Sequence, residues 1–173
     1  PPRVAKGGFV AQSSIQYAGF YGPKVAAGKY RIVVNAGKDS SEQILTVLPN
    51  PAAGLSEMAL QKLHQQSMRV FSLQEQLADM VDTIDVKLAA WNKMPSSEEI
   101  SQKIKALDSF KRELLELNRK SIFFDETKFR KRISDFYLDL VTALEPLSEG
   151  QEKGINVLEA EMKGFKTRLK QLL

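Results

Sequence analysis

The chain has 173 residues, 43% of them hydrophobic and 27% charged, with a net charge of +4. That is enough apolar side chain to fill the core of one ordinary domain, or of one domain with a small appendage. It contains no cysteine, which excludes a disulfide framework, a thiolate nucleophile and a Cys-rich zinc site. No run approaches the ~18–20 apolar residues of a membrane span, and the sequence starts at Pro1 with neither a methionine nor a basic-then-apolar leader, as a piece of a longer polypeptide would.

Residues 1–50 hold six of the ten glycines together with many Val, Ile, Tyr and Phe residues, a mixture that favours strands and turns over helix. The stretch Phe9 to Phe20, "FVAQSSIQYAGF", offers one or two strands. Tyr30, Ile32 and Val34 alternate with Arg31, Val33 and Asn35, giving a strand with one apolar face, and Leu45 and Val47 supply a partner. Between them "AGKDSS" has turn chemistry, and Pro49 and Pro51 end the ladder.

Past Pro51 the period changes to 3.5. Leu60, Leu63, Ser67, Val70, Gln74, Leu77, Val81, Ile84, Leu88 and Trp91 follow alternating steps of three and four, which predicts one helix of about 35 residues with Ser56 as N-cap and a Leu55/Leu60 staple. Pro95 ends it, and Ser96 with Glu99 has capping-box spacing for a second helix whose inner face is Ile100, Ile104, Leu107, Phe110, Leu114 and Leu117. A third is expected to start at Asp125, with Phe124 and Phe129 as staple and Phe129, Ile133, Phe136, Leu140 and Leu144 facing inward. Ser148 and Gln151 repeat the capping box for a fourth, lined by Ile155, Leu158, Met162, Phe165, Leu169 and Leu172. Short connections between amphipathic helices predict an antiparallel up-down bundle over residues 55–173, with Gly150, Gly154 and Gly164 weakening its last helix.

Charge patterning argues against nucleic acid as a partner. Residues 1–55 carry six Lys/Arg against Asp39 and Glu42, and residues 56–173 are balanced at nineteen of each sign; interleaved charges do not make a phosphate-binding face. The densest basic cluster, Lys128, Arg130, Lys131 and Arg132, reads as a solvated helix face and as a candidate contact region. Trp91 joins it as a candidate contact residue if it lies exposed.

Chemistry is sparsely supported. His64 is the only histidine and has no carboxylate at di-metal spacing. Asp79, Asp82 and Asp85 read as solvated carboxylates on an outer face, and "NAGKDSS" leads into a strand where a phosphate loop needs a helix. Glu98 and Glu99 are the nearest thing to a glycosidase pair, but they occupy the first turn of a helix, where their charge favours the dipole. The residues assign no catalytic, cofactor or metal site.

The stretch "GPKVAAGKYRIVVNAGKDSSEQILTVLPNPAAGLSEMALQKLHQQ", residues 22–66, resembles the C-terminal region of exported sortilin-like proteins with Asp-box repeats, β-propeller proteins commonly labelled glycosyl hydrolases. In that family a "GP-V-PG-Y-V" strand and an "L-V" strand close a small immunoglobulin- or fibronectin-like domain, and a "DP" followed by a Ser-Glu-led helix opens a helical tail. This chain has Ala27-Gly28 for Pro-Gly and Asn50-Pro51 for Asp-Pro. The resemblance implies an α+β chain: a partial β-sandwich over residues 1–51, then the bundle. It also implies an upstream β-propeller as partner, any active site on that propeller, and export to a periplasm or cell surface. The function expected is a non-catalytic accessory module that supports or presents the propeller and mediates assembly. The alternative is a stand-alone helical interaction or homodimerisation module, and the remotest reading is a carboxylate-dependent glycoside hydrolase. Since two strands alone are only marginally stable, the hairpin should present an edge that lies open or pairs with another copy.

Overall fold

A computed structural model describes residues 1–8, 13–50, 54–117 and 128–173. Within them the chain is α+β: a short helix α1 (Ser14–Ala18), a hairpin of β1 (Gly28–Ala36) and β2 (Asp39–Val47), and then four longer helices, α2 (Glu57–Trp91), α3 (Glu98–Leu114), α4 (Phe129–Thr142) and α5 (Glu149–Leu172). The expected Asp125 cap and the Phe124 half of the staple lie outside the described residues.

The 35-residue α2 is the spine, packing against α3, α4 and α5. Its start follows from Ser56, whose side chain accepts the Ala59 N–H at 3.2 Å. The predicted seam is the buried one: Leu63, Ser67, Val70, Gln74, Leu77, Val81, Ile84 and Trp91 are all buried, joined by Leu73, Ala78 and Met80. The extra three widen the stripe because α2 meets three helices rather than one, so more than a two-position seam is covered.

α3 begins one residue later than the expected box, at Ser97, whose hydroxyl accepts the Ile100 N–H at 3.2 Å. Ser96 and Ser97 are equivalent chemically, so the choice falls to the phase that buries Leu107, Phe110 and Leu114. α5 carries the full capping box, with the Ser148 hydroxyl accepting from the Gln151 N–H and the Gln151 side chain accepting from the Ser148 N–H. Gly154 is required by packing: a Cβ there would lie 2.7 Å from the Phe136 ring of α4.

Two expectations are corrected. The first is strand structure in residues 9–20: residues 13–20 are helical or turn, and 9–12 lie outside the described residues. A five-residue helix has little intrinsic stability; α1 exists because Ile15 and Ala18, three apart, are both buried, Ala18 fully and against the core that includes Tyr137 of α4. Tertiary burial thus overrides the period-2 pattern of "SIQY". The second correction concerns α4. Phe129, Ile133 and Leu140 are buried as expected, but Leu144 falls past the helix end and is 67% exposed, while a second stripe of Arg130, Ser134, Tyr137 and Val141 is also buried. α1 and the N-terminal strap cover that second face. Ala5 is buried in the core, the Arg130 guanidinium donates to the carbonyls of Ala5 (3.0 Å) and Gly7 (2.6 Å), and the Tyr137 hydroxyl donates to the Tyr21 carbonyl (2.9 Å). Gly8 is needed where the strap meets the end of α3, since its φ is +65° and a Cβ would lie 2.3 Å from the Glu116 carbonyl oxygen. Residues 1–8 and 13–21 therefore pack with the helices, and among the described residues of 1–51 the hairpin alone is sheet.

Candidate functional site: the open hairpin and its root

β1 and β2 pair antiparallel over nine residues, with Tyr30 opposite Leu45, Ile32 opposite Gln43 and Ala36 opposite Asp39. This leaves a two-residue turn, Gly37-Lys38, whose Gly37 has φ +65°, the sign that a primed hairpin turn needs at its first central position. Directly opposed residues share a face. One face therefore carries Tyr30, Ile32, Val34, Leu45 and Val47 beside Gln43 and Ser41. The other carries Lys29, Arg31, Val33 and Asn35 beside Thr46, Ile44, Glu42 and Ser40. On this polar face Arg31 pairs with Glu42 at 3.0 Å.

Among the described residues each strand pairs only with the other, so both edges are open, as expected. The faces are open too: every hairpin residue is exposed except the half-buried Tyr30 and Val47. α2 does not cover the apolar face, whose residues other than Tyr30 and Val47 are exposed. The reason lies at the root, where the chain is pinned away from the sheet. The Lys24 ammonium donates to the Ala143 carbonyl at 3.0 Å, His64 Nδ1 donates to the Lys24 carbonyl at 2.7 Å, and Tyr30 hydroxyl closes a short loop onto Ala26 carbonyl at 2.6 Å. The first two bonds tie the linker to the early turns of α2 and to the end of α4. Phe20, Tyr21 and Val25 before β1, Leu48 just past β2 and Leu144 just past α4 are exposed. The Pro1 nitrogen is 3.6 Å from where a Gly22 Cβ would lie.

The other candidates are placed as follows. Trp91 is 7% exposed, buried in the core, with the Lys87 ammonium 5.3 Å from its ring centroid; the exposure on which its contact reading depended is not observed, because an apolar ring at the helix end packs against α2's neighbours. Arg130 is 1% exposed and holds the strap, a correction to its reading as part of a solvated face. Lys131 pairs within α4 with Asp135 at 2.6 Å, and Arg132 makes a two-pronged bridge to Glu161 of α5 at 2.7 Å in each prong. Lys128 is half-buried at the start of α4. Arg130, Lys131 and Arg132 thus engage three different elements, the strap, α4 and α5.

The carboxylates are likewise engaged. Arg3 reaches Glu75 at 2.8 Å, Asp82 at 3.4 Å and Asp79, while Asp85 pairs with Lys111. A backbone and a side-chain hydrogen bond from Arg3 hold the Glu75 carboxyl below its ordinary value; Arg168 does the same for Glu113 and Arg69 for Glu159. Burial raises Asp139, with the Asp135 charge adding to it, and pushes the Tyr137 hydroxyl up to about 12. Among the described residues no three His, Cys, Asp or Glu side chains gather to hold a metal ion, and no helix is long and apolar enough to cross a membrane. Two shallow depressions of ≈350 and ≈240 Å³ run between α2 and α5, sharing Gln76 and Lys166.

No family model, curated protein or solved structure matches the chain.

Proposed function

We propose that the chain is a non-catalytic accessory module of a larger exported β-propeller protein. The helices form the rigid support, and the hairpin engages the rest of the assembly by contributing the last two strands of an immunoglobulin- or fibronectin-like sandwich. The observation that carries this reading is the hairpin's bare apolar face, Tyr30, Ile32, Val34 and Leu45, on strands long enough for a sandwich. A two-stranded ribbon is at best marginally stable alone, and a strand pattern with one apolar and one polar face is that of a sheet packed on one side. The larger size, the propeller and export to a periplasm or cell surface follow from the resemblance of residues 22–66.

The alternative, a stand-alone interaction or homodimerisation module, draws on the same bare face. Hydrolysis by this chain lacks comparable support: Glu98 accepts a bond from Gln102 and Glu99 from Lys103, both on the outside of α3. Probing fractionated source cells with an antibody against α5 tests the proposal. A species much larger than 19.4 kDa in the exported fraction is expected, and a 19.4 kDa species confined to the cytosol overturns it.

A further inference from the structure

We infer that the groove between α2 and α5 docks an amphipathic helix of a partner protein whose edge towards α5 is acidic. The site lies wholly in the helical half and stands apart from the hairpin's role.

α2 and α5 run side by side in a seven-residue register. Lys62 pairs with Glu152, and seven residues further along both helices Arg69 pairs with Glu159 at 2.6 Å. One more step brings Gln76 and Lys166 to the wall shared by the two depressions. There the ladder of ion pairs stops, and the Gln76 side chain donates instead to the Ser72 hydroxyl at 2.9 Å. Of the five basic residues on α5, Lys153 pairs with Glu149 at 2.5 Å and Arg168 with Glu113 at 2.7 Å. The other three, Lys163, Lys166 and Lys170, are exposed, line the depressions, and have no acidic partner among the described residues. The two acids that line the same depressions are already engaged, Glu159 by Arg69 and Asp79 by Arg3. One rim therefore carries uncompensated positive charge above a floor of Leu73, Met80, Met162 and Leu169.

This combination selects the occupant. The second depression is lined, on both helices, by the residues seven beyond those that line the first, so the two are ~10 Å apart at ~1.5 Å per residue. That is the spacing of the i and i+7 anchors of a helix lying in a groove. Lysines three and four residues apart recur about once per turn, in step with acids along one edge of such a helix. The Lys166 stem, which lies between the depressions, can cover their floor while the groove is empty and extend its ammonium to a carboxylate when it is filled. A nucleic acid or an anionic bilayer would meet the same lysines, but Glu75, Asp79 and Asp82 on the α2 flank outnumber the Arg3 that they share and repel both.

Fluorescence anisotropy tests this with the 173-residue chain and a labelled synthetic helical peptide of three heptads, with a leucine seam and one glutamate edge. Saturable binding is expected, with NMR shifts at the Met80 and Met162 methyls. Lys163→Glu, Lys166→Glu and Lys170→Glu combined should weaken it about tenfold or more, the joint worth of three exposed charge contacts, and should favour the same peptide with a lysine edge. Lys29→Glu, Lys38→Glu and Lys105→Glu combined, equal in charge but placed on the hairpin and α3, should leave binding unchanged. Absence of saturable binding, equal binding of the two peptides by the unaltered chain, or equal loss in the two triple variants overturns the inference. So does tighter binding of phosphatidylglycerol vesicles or duplex DNA through the same lysines. Each of these results leaves the larger exported protein to be decided by the fractionation experiment.

Discussion

Val81 and Val34 are the same residue in opposite surroundings: Val81 is fully buried in α2, whereas Val34 is 61% exposed in β1. Both belong to regular elements with their backbone hydrogen bonds made. What separates them is what each element finds within the chain. α2 meets three helices and a strap, and its apolar stripe is buried in two core clusters, with Phe136 packed against both. Among the described residues the hairpin's strands pair only with each other. A helix satisfies its backbone internally and needs partners only for one stripe, but a two-stranded ribbon leaves two edges and two faces to be satisfied from outside. The stable half and the incomplete half of this molecule differ in partners, not in local propensity.

The contrast is most easily broken by mutation. Leu77→Ala, in the middle of α2, should cost about 2–5 kcal/mol by the transfer and cavity terms of a buried leucine, read from urea unfolding of the helical signal. Leu45→Ala in the hairpin should move the same transition by less than about 0.5 kcal/mol, as a surface change does. Comparable losses would mean that the hairpin is part of the cooperative unit.

How far each half can be read from sequence follows the same division. α2's seam, the Ser56 cap and the Ser148–Gln151 box are local patterns, and they fold as written. The hairpin, its register and its bare apolar face are equally legible, since alternation and turn chemistry are local too. The second buried stripe of α4 was not: Arg130, Ser134 and Tyr137 look like an ordinary mixed face until α1 and the strap arrive from more than a hundred residues away. An arginine placed on a stripe with a serine, a tyrosine and Val141 was the available signal, since small and amphipathic residues at steps of three and four can mark a face covered by backbone. The same long-range packing turned "SIQYA" from expected strand to helix and took Trp91 into the core.

The strap provides the next sharpest test. Gly8→Ala forces a side chain onto a positive φ and against the Glu116 carbonyl, and Arg130→Met deprives two carbonyls of their donor. Each should cost about 1–3 kcal/mol and expose residues 1–8 to protease, with the hairpin's exchange rates unchanged. Arg3→Ala removes only exposed ion pairs and should cost less than about 1 kcal/mol, an effect that high salt erases.

Acid is expected to act on the helical half alone, and mildly. Glu75, Glu113 and Glu159 are all lowered in the folded state from an ordinary value of 4.5, so folding favours their charged form. Their contribution is present above about pH 4.5 and is lost as pH falls through the lowered values. Asp139, raised from 3.8 by burial, acts in the opposite sense, contributing below pH 3.8 and losing that contribution as pH rises through its folded value. Thermal melts should therefore be flat from pH 6 to 8 and decline below about pH 4.5, less steeply at high salt.

The central claim, that the hairpin is regularly paired within itself but has open edges and a bare apolar face among the described residues, is tested most directly by amide hydrogen exchange on the dilute chain. Residues 70–84 of α2 should exchange only on the timescale of global unfolding. Residues 28–47 should exchange orders of magnitude faster. Protection of β1 and β2 equal to that of α2 in the dilute chain would contradict the account.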